Sequence, residues 1–459
     1  MISKEFAIRI CERMKTWNEI TKHWNIEEWK DYWINVINEK LSLAWNKQFY
    51  KRHKIEEINE LLSFPILEKI PQLRIENVIA YQKTSGTTGK PKTIPLTLDD
   101  VILGFQSFRV IFNKINAFDR MLLIASSPHA TSGVYFSIGA EIINLCGGKA
   151  QCLFIKQICE QKITPRFPVA KILTLLGHIF PALTHLPPEA LAETVDLALT
   201  GSVLTKGIIK AIENKMKEKG VKLGKVVNCY AASEILGIAA ISSDDIEILE
   251  QVPDPAIFFI NIVEITQDGI KRTEKILPIW KAKKGDIGYI VVTSLRDLLL
   301  INYIGLWDLI QVVNPEFPPK FKVLGRAEAK VNLGYSKALN KQLEGITGGT
   351  VKAGGQVLAM NAFHEVMSKL YPGVRYFVII HDFGTSAIFE VYSDKEIDLT
   401  KIIKELSHIP SGFETPYNFQ FKNIINKKFI DEVYEELIVH EINREKTPKL
   451  IKHIVIKHY

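Results

Sequence analysis

The plainest capacity for chemistry lies in Thr84-Ser85-Gly86-Thr87-Thr88-Gly89-Lys90-Pro91-Lys92. Small hydroxyls and glycines leave many backbone N–H groups uncovered, so a loop of this composition can wrap a polyphosphate. The hydroxyls add donors, and Lys92 brings a point charge to the anion. The common nucleotide loop needs Gly, four residues, then Gly-Lys-Ser/Thr. Here two residues separate Gly86 from Gly89 and proline follows Lys90, so the run is a different device. The plain alternative is a turn between two strands, where such residues collect.

Other polar groups recur downstream. Asn228-Cys229-Tyr230-Ala231-Ala232-Ser233-Glu234 sets a ring, a hydroxyl and a carboxylate in one short stretch. A hard cation prefers oxygen ligands and takes one or two protein carboxylates beside phosphates; otherwise Glu234 is a solvated acid at a helix start. Thr200-Gly201-Ser202-Val203-Leu204 lacks bulky side chains, so a flat base can approach its backbone. Asn302-Tyr303-Ile304-Gly305-Leu306-Trp307-Asp308 ends on a carboxylate whose two oxygens can accept from two hydroxyls. Gly325-Arg326-Ala327-Glu328, Lys352-Ala353-Gly354-Gly355-Gln356 and Lys446-Thr447-Pro448-Lys449-Leu450-Ile451-Lys452 follow in that order.

Together these segments resemble the adenylate-forming (ANL) superfamily over almost the whole chain, nearest to its phenylacetate–CoA ligase branch. The resemblance assigns Thr84, Ser85, Gly86, Thr87, Thr88, Gly89 and Lys92 to the ATP phosphates. It assigns Gly201, Ser202 and Tyr230 to adenine, Ser233 to the α-phosphate, and Glu234 to Mg²⁺. Asp308 would grip the ribose and Arg326 the nucleotide, with Glu328 as hinge between two domains. Lys449, or a neighbour in that lysine-rich tail, would bridge carboxylate and α-phosphate. His129, in Ser127-Pro128-His129-Ala130-Thr131-Ser132-Gly133, falls where relatives line the acid pocket; Tyr135 and Phe136 either wall that pocket or belong to the core.

The match has departures. Ala231 and Trp307 stand where glycine is usual, Asn302 replaces an arginine, and the step from Tyr303 to Asp308 is one residue longer. Glu328 replaces aspartate, no glycine precedes Lys449, and the gap after Glu328 suggests an inserted loop. Lys446-Thr447-Pro448-Lys449 also resembles the tail of plant acyl-amido synthetases.

The elements that must position these groups follow from pattern. At 459 residues the chain exceeds one compact core. Residues 1–77 alternate charge with Trp29, Trp33, Ile37 and Leu41 at helical spacing, a core stripe and a helical lead-in. From 78 to 325, runs such as Met121-Leu122-Leu123-Ile124, Val226-Val227 and Ile287–Val292 alternate with helical stretches, predicting an α/β domain, which the resemblance makes the adenylation domain. Residues 338–355 read as an exposed linker or mobile loop and 356–459 as a smaller α+β domain; the resemblance makes 326–355 a hinge with an inserted loop and 356–459 a mobile lid.

Composition excludes little but is informative. Hydrophobic residues make up 47%, charged residues 24%, and the net charge of +7 is scattered. No basic stripe interleaved with aromatics suggests nucleic acid, and no apolar run suggests a membrane span. Five cysteines without a Cys-x-x-Cys pair argue for thiols in a reducing, cytoplasmic setting over a disulfide framework or zinc. What the resemblance implies is ATP-dependent activation of a carboxylic acid, aryl or otherwise hydrophobic, to an acyl-AMP. Transfer to a thiol, CoA first, follows; an amine acceptor or a catalytically impaired nucleotide binder is the alternative. A homodimer is common in that branch.

Overall fold

The N-terminal alternation of charge and large apolar residues folds as helices α1 (Lys4–Thr21), α2 (Ile26–Ser42) and α3 (Ala44–Tyr50). The structure is a computed structural model that describes residues 4–52, 54–83, 93–125, 128, 130–201, 204, 206–266, 269–326, 330–336, 341–346, 350–353, 356–382, 387–407, 419–431 and 454–458. Asn25 starts α2 by accepting from the Glu27 and Glu28 amides, and Glu28 accepts from the Asn25 amide at 2.7 Å. This reciprocal cap satisfies donors that the first turn leaves open. Trp29, Trp33, Ile37 and Leu41 are all buried, as their spacing predicts. They pack with Ile257, Phe259, Val291 and Ile301 of the large sheet, so the lead-in shares that sheet's core.

Strands β1 (Val78–Lys83) and β2 (Thr93–Thr97) pair antiparallel on either side of the run 84–92. Helix α4 (Leu98–Ile115) starts at once from a cap in which Thr97 and Asp100 bond each other's amides at 3.2 Å. Alternation then runs through β3 (Met121–Ala125), α5 (Thr131–Leu145), β4 (Ala150–Phe154), α6 (Ile155–Cys159), β5 (Val169–Leu175), α7 (Leu176–His185), β6 (Leu191–Thr200), α8 (Lys206–Lys217) and β7 (Lys222–Ala232). These strands are parallel, ordered β4-β3-β5-β6-β7. Helical crossovers cover such strands on both faces, which is why β3 can be apolar and buried throughout.

Beyond β7 the same sheet becomes antiparallel: β8 (Gly237–Ser242), β9 (Ile248–Gln251), β10 (Ala256–Thr266), β11 (Gly269–Pro278), β12 (Ile287–Ser294), β13 (Leu300–Tyr303), β14 (Asp308–Asn314) and β15 (Lys320–Arg326). The order continues β7-β8-β9-β15-β14-β12-β10-β11, with β13 also on β12. Gly104 lets α4 approach: a Cβ there would lie 2.5 Å from both the Leu236 carbonyl and the Tyr135 ring.

A second sheet follows. It contains β16 (Lys330–Ser336) and β17 (Lys341–Ile346), then, after the hairpin β18 (Thr350–Ala353) and β19 (Gln356–Ala359), β20 (Tyr376–Asp382), β21 (Ala387–Ser393), β22 (Phe419–Ile425) and β23 (Ile454–His458). Helices α9 (Met360–Leu370) and α10 (Leu399–Ser407) complete this smaller α+β region. Within 338–355, where the sequence suggests an exposed linker or mobile loop, residues 341–346 and 350–353 form strands. β17 joins the second sheet and β18 pairs β19; the glycine-rich composition hid these strands.

The cysteine expectation also needs correction. Cys11 of α1 and Cys146 at the end of α5 form a disulfide, while Cys152, Cys159 and Cys229 are free. Cysteine count and spacing do not reveal which two helices meet. Among the described residues no helix is long and apolar enough to cross a membrane.

Candidate active site

The parallel register of β6 and β7 sets Thr200 opposite Cys229, so Gly201 and Tyr230 follow side by side. Gly201 is exposed with φ +84°, a backbone setting that glycine adopts without steric penalty. Tyr230 donates its hydroxyl to Asp308 Oδ2 at 2.7 Å, joining residues 78 apart in sequence. Phe258 and Phe321 meet the Tyr230 ring nearly perpendicular, with centres 6.2 Å away in each case. With the hydroxyl engaged, what this half-buried ring offers a ligand is its flat apolar surface. Asp308 is buried at the start of β14, and its backbone partner across to β15 is Arg326.

Ser233 and Glu234 stand in the turn between β7 and β8. Thr131, the first residue of α5, donates to Ser233 Oγ at 2.8 Å. Glu234 is 7% exposed, in a turn rather than a helix start, and the Tyr303 hydroxyl donates to its Oε1 at 3.4 Å. A carboxylate withdrawn from water requires polar or cationic company, and carboxylate oxygens are ligands that a hard divalent cation takes. Among the described residues no group of three or more His, Cys, Asp or Glu could hold a metal.

The loop from Asn302 to Asp308 departs from the sequence motif for visible reasons. Asn302 has φ +52°, a left-handed setting that asparagine tolerates. Its buried Nδ2 donates to the carbonyls of Leu61 at 2.6 Å and Phe64 at 3.1 Å. The side chain thus anchors the lead-in, which is also tied here through Leu67 N to Asn302 O at 3.0 Å and Ile304 N to Leu67 O at 2.9 Å. Trp307 has φ +55°, so the left-handed turn that glycine would take is kept. The Arg272 guanidinium lies 5.5 Å over its ring, and Tyr289 meets it edge-on at 5.8 Å. Those contacts offset the strain of a bulky residue at positive φ.

Thr84, Ser85, Gly86, Thr87, Thr88, Gly89, Lys92, His129, Ser202, Glu328 and Lys449 lie outside the described residues. Tyr135 is buried between α4 and α5, stacks on Phe108, and donates its hydroxyl to the Asp100 carbonyl at 3.1 Å. That burial pushes its phenol well above the ordinary range.

Four residues around the turn escaped the sequence reading as participants: Thr131, Tyr303, Asp100 and Arg296. The last had a signal. Arg296-Asp297 stands between the uncharged run Ile290–Leu295 and the apolar run Leu298–Ile301, and charges in such a setting must find partners. The Arg296 guanidinium is fully buried and donates to the carbonyls of Ser233, at 3.4 Å, and Pro95.

The family model described as "AMP-binding enzyme" matches residues 19–257, a little over half of the chain. No curated protein matches. Among solved structures, an ATP-bound RpMatB-BxBclM chimera is 15% identical with a TM-score of 0.46, over 82% of this chain and 70% of its own. The AMP complex of O-succinylbenzoate coenzyme A synthetase (MenE) from Bacillus subtilis is 14% identical with a TM-score of 0.44, over 86% and 78%. ATP-bound MatB from Rhodopseudomonas palustris is 16% identical with a TM-score of 0.45, over 76% and 65%. All three likenesses are distant.

Proposed function

The chain belongs to the family of AMP-binding enzymes, the adenylate-forming ligases, and on that premise we propose that it activates a carboxylic acid with ATP and passes the acyl group to a thiol. The observation that carries the site assignment is the Tyr230–Asp308 hydrogen bond, because it joins a ring suited to adenine and a carboxylate suited to ribose. Gly201 and Ser202 border the base, Arg326 adds a donor to the nucleotide, and Ser233 faces the α-phosphate. The run from Thr84 to Gly89, with Lys92, holds the outer phosphates.

In the first half-reaction a substrate carboxylate oxygen bonds to the α-phosphorus and pyrophosphate leaves, giving an acyl-AMP. The barrier is the meeting of two anions, which preorganised donors and cations lower. Mg²⁺ held by Glu234 would supply charge neutralisation at the phosphates. Lys449 approaches the carboxylate and α-phosphate, and His129 borders the acid, a hydrophobic or aryl one. Movement about Glu328 then withdraws the lysine and admits the acceptor. A CoA thiol attacks the acyl carbon, AMP leaves, and a thioester remains. The tail 446–449 favours a second reading in which an amine takes that place and an amide forms.

Carboxylate-dependent exchange of labelled pyrophosphate into ATP, over a panel of aryl, fatty and amino acids, tests the first step. Exchange with one acid class supports it and names the class. Tight ATP binding with no exchange for any acid supports an impaired homologue instead. Product analysis with CoA against amines then separates thioester from amide.

A further inference from the structure

The nucleotide reading assigns no part to Arg296, yet its guanidinium is completely buried beside two segments of that site. Nη1 donates to the Ser233 carbonyl at 3.4 Å. Nη2 donates to the Pro95 carbonyl and to Asp100 Oδ2, the latter at 3.4 Å. Asp100 is held in turn by the Asp297 amide at 2.8 Å and the Thr97 amide at 3.2 Å. The Asp297 carboxylate closes the network, accepting from Thr97 Oγ1 at 2.8 Å and Lys40 Nζ at 2.6 Å.

Stability is a poor explanation for this arrangement. A buried ion pair contributes little over a well-packed apolar replacement, because desolvation offsets the attraction. Among the described residues the Arg296 Nε also finds no acceptor, and a buried orphan donor is a cost. What a guanidinium supplies is geometry, since its planar fork sends donors in set directions. Here those directions lead to β2, which follows the run 84–92, to the first turn of α4, and to the turn that carries Ser233 and Glu234.

We infer that Arg296 is a positioning residue for the triphosphate: it sets the separation between β2 and the Ser233–Glu234 turn. This rests on the nucleotide reading above. A ligand that touches only one of those segments is indifferent to their separation. On the nucleotide reading a magnesium-bound triphosphate meets Ser233 and Glu234 on one side and, on the other, the run that leads into β2, and so is not.

The test uses the full chain and two variants, Arg296→Lys and the pair Arg296→Gln with Asp100→Asn, the second leaving no unpaired buried charge between these two partners. Thermal unfolding and near-UV circular dichroism identify the folded proteins, and calorimetry gives dissociation constants for MgATP and AMP. In the double variant MgATP should bind about tenfold more weakly and AMP within about twofold of wild type, with Arg296→Lys between. Equal weakening of both nucleotides, or no weakening, in either folded variant overturns the inference. A wild-type chain that binds neither nucleotide overturns the nucleotide reading, and the role of Arg296 with it.

Discussion

Two loops meet at the Tyr230–Asp308 hydrogen bond, and they are built on different principles. The β7–β8 turn is held from beneath by ions: Arg296 on the Ser233 carbonyl, with Asp100, Asp297 and Lys40 behind. The Asn302–Asp308 loop is held by shape and backbone. Asn302 reaches the Leu61 and Phe64 carbonyls, Leu67 bridges alongside, and Trp307 is clasped by Arg272 and Tyr289. The turn that keeps its motif save at Ala231 therefore depends on distant charges, while the loop that departs further depends on the N-terminal lead-in. Motif fidelity and structural support are separate properties.

If that contrast holds, perturbing the second loop should weaken all adenosine ligands alike, unlike the selective loss expected for Arg296. Asp308→Ala should lower AMP and MgATP affinity together by about a hundredfold, since it removes charge-assisted acceptors for both. Calorimetry reads this, and loss confined to MgATP would break the comparison.

A pH scan separates both loops from the parallel half beneath them. Burial lowers the His178 imidazole from 6.5 to about 4 against a hydrogen bond to Ile124, so it is neutral when folded. The folded-state value is depressed, so its contribution is whole above pH 6.5 and lost as pH falls through about 4. Wild type should lose about 3 kcal/mol relative to His178→Asn over that interval; denaturant unfolding at several pH values measures it, and parallel profiles would refute it.

Asn302→Ala strips the partner from two carbonyls and puts alanine at positive φ, costing about 2 kcal/mol of stability. Denaturant unfolding should register that change, and an unaltered midpoint would show that the lead-in is held elsewhere. Tyr230→Phe deletes the bond that joins the loops and should weaken AMP and MgATP equally by about fivefold. The smallest effect belongs to Trp307→Gly: relief of backbone strain against lost cation–π and edge contacts should leave stability within about 1 kcal/mol of wild type.

Much of the scaffold was legible because it is written in local periodicity. The stripe Trp29, Trp33, Ile37 and Leu41 is buried, Met121–Ala125 is a buried parallel strand, and Ala362–Leu370 falls within α9. The strands at 341–346 and 350–353 were not legible because short strands interrupted by glycine have too little pattern to reveal pairing. At the site, Asn302 and Trp307 looked like damage to a motif. Only their dihedrals and contacts show one as a strut for the lead-in and the other as a substitute for glycine.

Residue order by itself determined the alternation of strand and helix, the buried faces, and the short chemical stretches such as Tyr230 to Glu234. Each of these depends on neighbours along the chain. The tertiary structure alone decided which distant groups meet. Tyr230 reaches Asp308 across 78 residues, Cys11 reaches Cys146 across 135, and Arg296 lies beneath both Pro95 and Ser233. Such meetings are set by strand register and by how helices pack on a sheet, properties of the whole fold that no short window of sequence contains.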